Sequence, residues 1–253
     1  MRGDAPGLTA APTVARVPRR RIPLPPIGIG LAALAVALET CGFVLRLAGS
    51  TPRALSMDAP YSAPRLFVAL LFAAAGFIAL AGAGAMPGRR TWWTAVGLVA
   101  GVIAAVKAGS TLHADALLAL STAVGSTAAT ALSVLAAVAV VGALWFLSRT
   151  ERRDRARVLG CLAGYAVASV GLSALSLVVT GAYGRASSWT AGATFIEESG
   201  EALAGVAFLI AVLAGVAPRL VLPASWPLRR AEDARTLDLP EPQWGRIPRG
   251  DAR

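Results

Sequence analysis

The stretch FIEESGEALAGVAFLIAVLAG, residues 195–215, decides how this chain is read. From Ala202 onward it is apolar enough to enter hydrocarbon, yet Glu197, Glu198 and Glu201 stand at its start. Several other runs of about 20 nearly uncharged residues precede it, each long enough to cross a ~30 Å hydrocarbon core. Composition agrees with that reading. The 253 residues are 56% apolar and 15% charged, against about 25% charge in a typical soluble domain.

The chain therefore reads as all-α, a polytopic helical membrane bundle. Six transmembrane helices are expected at roughly 27–48, 65–86, 91–111, 122–147, 157–180 and 193–217. The segments before and after them, 1–26 and 218–253, are rich in proline and charge and read as disordered tails. The basic run before the first apolar segment resembles a signal peptide. That segment continues through Glu39 to Arg46 without a small-residue cleavage site, so it is read as retained. No internal repeat is visible between the two halves.

The net charge of +10 does not point to nucleic acid, because no basic face with interleaved aromatics exists. The arginines sit instead in the tails and in alternate loops. Arg16, Arg19, Arg20 and Arg21 precede the first span, Arg89 and Arg90 lie in the second loop, and SRTERRDRAR forms the fourth. By the positive-inside rule both termini are expected to be cytoplasmic. The first loop, with Arg53 and Arg65, fits that count worst. Trp92, Trp93 and Trp145 are expected in an aromatic belt on the inner side and Trp189 on the outer. The expected location is a bacterial cytoplasmic (inner) membrane, crossed several times. Cys41 and Cys161 allow no zinc spacing or disulfide framework, and are expected to stay unbonded.

Orientation gives depth to the charges. Glu39 falls near the middle of the first helix, Lys107 near the outer end of the third, and the three glutamates in the outer half of the sixth. Each such charge costs about 2.5–3.5 kcal/mol at a bilayer centre. At 100° per residue, Glu197, Glu201 and Glu198 share an arc of about 100°. They are expected to face the bundle interior, with Lys107 as their partner. Arg46, His113 and Asp115 are secondary members of the same outer-side site. Two readings of the acids compete. In one they form a buried ion pair with Lys107, and Glu197 and Glu198 are an exposed helix start suited to the dipole. In the other, acids exceed bases, and the excess binds protons or cations.

Rows of hydroxyls occur at helical spacing. One holds Tyr165, Ser169, Ser173, Ser176 and Thr180, the other Thr122, Ser126, Thr130 and Ser133. They read first as packing features that bond their own backbone. Gly97 with Gly101 and Gly160 with Gly164 are GxxxG pairs, also read as packing. The single histidine closes the zinc-hydrolase route. No nucleophile elbow, phosphate loop or dinucleotide fingerprint appears. No cofactor is named by the sequence, and any metal stays unknown.

The segment FIEESGEALAGVAFL resembles the E-E-x-x-E segment in the last helix of a loose group of uncharacterised six-helix bacterial membrane proteins. The resemblance implies a six-helix fold and brings no activity with it. The sequence leans away from an enzyme. Its leading functional reading is binding or translocation of protons or small cations through an outer-side Glu/Lys site: Glu39, Lys107, Glu197, Glu198 and Glu201. The alternatives are a non-catalytic membrane scaffold or accessory subunit of a cell-envelope complex, and a metal-dependent intramembrane enzyme. The partners expected are the lipid bilayer and a small cation or proton.

Overall fold

The computed structural model describes residues 25–50, 52–149 and 152–222. These fold into helices and connecting turns with no strand among them. The order is α1 (Pro26–Leu47), α2 (Ala63–Ala85), α3 (Arg90–Ala108), α4 (Leu112–Val124), α5 (Ser126–Leu147), α6 (Arg152–Ala166), α7 (Ser173–Tyr183) and α8 (Ser188–Val216). A π-helical stretch, Val167–Leu172, joins α6 to α7, so that the two run as one long rod. Among the described residues six helices are long and apolar enough to cross a membrane, the α6–π–α7 rod counting as one.

Local sequence explains most boundaries. Pro26 opens α1 after an extended Pro25, where its missing N–H costs nothing. The Ser187 side chain caps α8 by accepting from the Thr190 N–H at 3.2 Å. Gly109 ends α3 in the left-handed region at φ +115°, a conformation that suits glycine. Two boundaries differ from expectation. The stretch after Lys107 is not a plain loop: α4 forms there, breaks at Gly125, and packs on α5. The last helix begins at Ser188, five residues earlier than about 193, so Glu197 and Glu198 lie well inside it.

α8 is the axis of the bundle. It packs against α1, α2, α6, the π stretch and α7. α2 and α3 form the tightest pair, crossing where Gly97 faces Gly76 and Leu80. Gly160 and Gly164 meet nothing within 4 Å where a Cβ would project, so the second GxxxG pair makes no close crossing. The core holds Phe72 between Tyr165 and Phe208, at centroid distances of 4.7 and 5.2 Å. Much of α5 is exposed and apolar, including Leu135, Val138 and Phe146, as a lipid-facing helix requires.

The end of the bundle near Arg89 is closed by aromatic and ionic contacts. Trp92 and Trp93 are buried, not set in an interfacial belt. α8 presents Gly215 to the Trp93 ring, and the Arg89 guanidinium lies 5.3 Å from that ring's centroid. Asp154 pairs with Arg89 and, at 2.6 Å, with Arg157. Trp145 and Trp189 are exposed, as expected of interfacial residues. Pro218–Leu220 forms a 3₁₀ turn that packs on α8, and Val221 and Leu222 are buried. The folded unit therefore extends a few residues past the expected limit at 217. The expected tails otherwise lie outside the described residues.

A Cβ at Gly215 would come within 2.6 Å of the buried Trp93 ring. Gly215→Val is expected to lower stability by at least about 2 kcal/mol through overpacking. Gly101→Val, at a position with nothing within 4 Å, is expected to be nearly silent. Thermal unfolding of both variants in detergent checks this.

Candidate functional site

α8 places Glu198 and Glu201 three residues apart, so both carboxylates project from one side of the helix. Lys107, in the last turn of α3, reaches both. Its Nζ donates to Glu198 Oε2 at 3.0 Å and forms an ion pair with Glu201 Oε2. All three side chains are buried. The expected Lys107–glutamate pairing is thus present, and it is a clamp on two acids. It lies about 15–20 Å along α8 from Ser188, at 1.5 Å per residue.

Two further side chains join the clamp. Arg65, in the first turn of α2, brings Nη1 to 3.9 Å from Glu198 Oε1. Tyr165, at the end of α6, directs its hydroxyl toward Glu201. Glu39 approaches from α1 and is 1% exposed. Its electrostatic neighbours are Glu198, Lys107, Glu201 and Arg65, yet its Oε2 has no hydrogen-bond partner. Glu197 points to another side of α8 and accepts from the Ser173 hydroxyl.

The π stretch matters to this arrangement. It lies against α8 at Gly200, where an added Cβ would meet Ala168 and Leu172. Tyr165 lies just before it and Ser173 is the first residue after it, and each serves a different glutamate. Such local widening of a helix recurs at functional positions. The hydroxyl row on this rod is therefore partly a partner row. Ser133 on α5, by contrast, only bonds its own backbone, to the Ala129 carbonyl at 3.0 Å.

Two expected members, Arg46 and Asp115, do not join. Arg46 pairs with Asp58 at 3.6 Å and donates to the Arg185 carbonyl at 3.5 Å. It holds the α1–α2 loop, and Arg65 takes the place expected for it. Asp115 is exposed on α4, because the Gly109 turn carries the chain away from the cluster. His113 lies on the same short helix, and its side chain falls outside the described set. The reading of Glu197 and Glu198 as an exposed helix start is also overturned. Both lie more than two turns beyond the Ser187 cap, and Glu198 is buried, whereas the dipole acts mainly on the first turn.

The α1–α2 loop covers the cluster. Met57 and Ser62 are buried, and a Cβ on Gly42, one turn beyond Glu39, would strike the Leu55 carbonyl at 2.6 Å. Asp58 ties this cover together through Ser56, Arg46 and, by its carbonyl, Arg65. Among the described residues no group of three His, Cys, Asp or Glu side chains is arranged to hold a metal ion. Cys41 and Cys161 are both free thiols.

Arg65 and Tyr165 are the site residues that sequence reasoning missed. A signal for Arg65 existed, since it fits the charge count of the loops worst and stands at the mouth of an apolar run. Comparison of the chain with known protein families, curated proteins and solved structures gave no match.

Removing Lys107 strands two buried acids. Lys107→Met is expected to cost about 3–5 kcal/mol, and adding Glu201→Gln is expected to restore about 1–3 kcal/mol of it. Unfolding midpoints of both single variants and the double variant check this. Simple addition of the single losses would show that the contact carries no coupling.

Proposed function

We propose that this chain is an integral membrane protein that binds, and passes across the bilayer, a proton or a small cation at the Glu39–Glu198–Glu201 cluster. One observation carries the reading. Among the described residues three buried acids face two bases, Lys107 and Arg65, and Glu39 is the acid that forms an ion pair with neither, its Oε2 without a hydrogen-bond partner. An uncompensated carboxylate in a low-dielectric interior is too costly to persist as a bare anion. It takes a proton or a cation, and gives it up when the surroundings change.

In this reading Glu39 is the exchangeable acid. Lys107 pairs with Glu198 and Glu201, Arg65 pairs with Glu198, and both bases compete with any cation for these acids. Tyr165 and the Ser173–Glu197 pair supply hydroxyls beside the acids. The α1–α2 loop is the cover on the near side, and its Arg46–Asp58 contact is partly exposed to water, where an ion pair is weak enough to open. The arginine distribution supports an outer position for this cover, with both termini in the cytoplasm.

A structural role is the second reading, favoured by the two-acid clamp on Lys107. In it the cluster only fixes the register of α3 against α8.

The test is proton movement in proteoliposomes, followed by a trapped pH dye under imposed sodium, potassium and proton gradients. The wild type is expected to carry flux. Glu39→Gln is expected to reduce it to the level of empty vesicles while keeping its unfolding midpoint. Absence of flux in the wild type under every gradient, or full flux in Glu39→Gln, would sink the carrier reading.

A further inference from the structure

A proton and a metal cation ask different things of a carboxylate. A proton bonds to one oxygen and needs no other. A hard cation gathers about six or more oxygens around itself. The buried cluster can be judged by which of its oxygens are already engaged.

Both oxygens of Glu198 face a base. Its Oε2 accepts from Lys107 Nζ at 3.0 Å, and its Oε1 lies 3.9 Å from Arg65 Nη1. Glu201 is engaged by Lys107 at Oε2 and by the Tyr165 hydroxyl. A metal cation on either acid would stand close to a fixed ammonium or guanidinium. Two like unit charges about 4 Å apart repel by about 4 kcal/mol at an effective dielectric of ~20. Lys107 has little room to withdraw. It is buried, and two residues on, a Cβ at Gly109 would meet the Tyr61 ring of the α1–α2 loop at 3.2 Å.

Glu39 is the remaining acid. The charged groups that face it are Glu198 and Glu201 from α8, Lys107 from α3 and Arg65 from α2. On α1 itself the next charge is Arg46, two turns on and paired with Asp58 of the α1–α2 loop. One turn from Glu39, Gly42 is closed over by Met57 and the Leu55 carbonyl. Glu39 therefore brings two oxygens of its own to any ion. Among the described residues no group of three His, Cys, Asp or Glu side chains is arranged to complete a metal shell. A proton on Oε2, the oxygen without a hydrogen-bond partner, needs no shell. It leaves two charged acids, Glu198 and Glu201, opposite two bases, Lys107 and Arg65.

We propose that the ion exchanged at this cluster is a proton held by Glu39, and that metal cations are refused because Lys107 and Arg65 already occupy the neighbouring carboxylates. This rests on the reading of the cluster as an ion-exchange site and narrows that reading to one ion.

The test is infrared spectroscopy of the full chain in detergent, following the carbonyl stretch of protonated carboxyl groups as pH is titrated. Exposed acids titrate as well, so the Glu39 signal is read as the difference between wild type and Glu39→Gln. A reversible band is expected in that difference. Its midpoint is expected to stay fixed as sodium, potassium or magnesium is raised about a hundred-fold at constant ionic strength, whereas a cation competing for the same oxygens would lower it by about one pH unit per tenfold once it saturates the site. Should Glu39→Gln fail to fold, Glu39→Asp takes its place and is expected to move the band to a new midpoint. A midpoint that falls with any of the three cations overturns the proposal. So does a spectrum that neither variant alters. Flux in proteoliposomes is scored separately. A cation-blind Glu39 band without flux ends the carrier reading and leaves the proton site standing, while flux with a sodium-sensitive midpoint does the reverse.

Discussion

The contact of Lys107 with both Glu198 and Glu201 is the constraint that organises the bundle. None of these charges is tolerable in hydrocarbon alone, so α3 and α8 must meet at this height and in this rotation. The meeting fixes α8 as the axis, because an element that carries buried acids must be shielded on every side. α1, α2, the α6–π–α7 rod and α3 supply that shield. It also explains why α3 stops where it does. Lys107 stands one residue before the end of the helix, and Gly109 turns the chain outward as soon as the lysine has been delivered.

The two ends of the bundle handle charge differently. Near Gly215, Asp154 pairs with Arg89 and Arg157, and the Trp93 ring shields one face of Arg89. Around Lys107, among the described residues, three buried acids gather on two bases. An acid excess inside the protein is costly unless something offsets it, and it is this second region on which the proposed ion exchange rests.

The six spans and the facing of Glu198 and Glu201 were legible in the sequence because both follow from local rules. Apolar length and the 100° step of a helix require no knowledge of neighbours. Lys107 was legible for a similar reason, as the one lysine in the chain and the nearest base at the right depth. What stayed hidden depends on how helices meet. Arg65 and Arg46 look equivalent as boundary arginines. Only the fold-back of the α1–α2 loop sends Arg46 to Asp58 and leaves Arg65 facing Glu198. Trp92 and Trp93 carry the composition of an interfacial belt, and their burial follows from Gly215 on a distant helix. The early start of α8 was masked by Thr190, Thr194 and nearby small residues, which weaken the apolar signal without weakening the helix.

The stoichiometry of the cluster argues against a purely static role. A register-fixing ion pair works with one base and one acid, and each added buried acid raises its cost. Lys107 with Glu201 alone would set α3 against α8. Glu198 is a second acid on the same lysine, and Arg65 offsets it only from 3.9 Å. Glu39 is a third acid, from another helix, with no base of its own and an oxygen left without a partner. Its removal would improve a static cluster, because a glutamine or leucine there would relieve like-charge repulsion and desolvation together. The exchange proposed for this site rests on that third carboxylate: in the proposal a proton bound at Glu39 offsets the excess acid, and its loss returns one negative charge to a site that already holds Lys107 and Arg65.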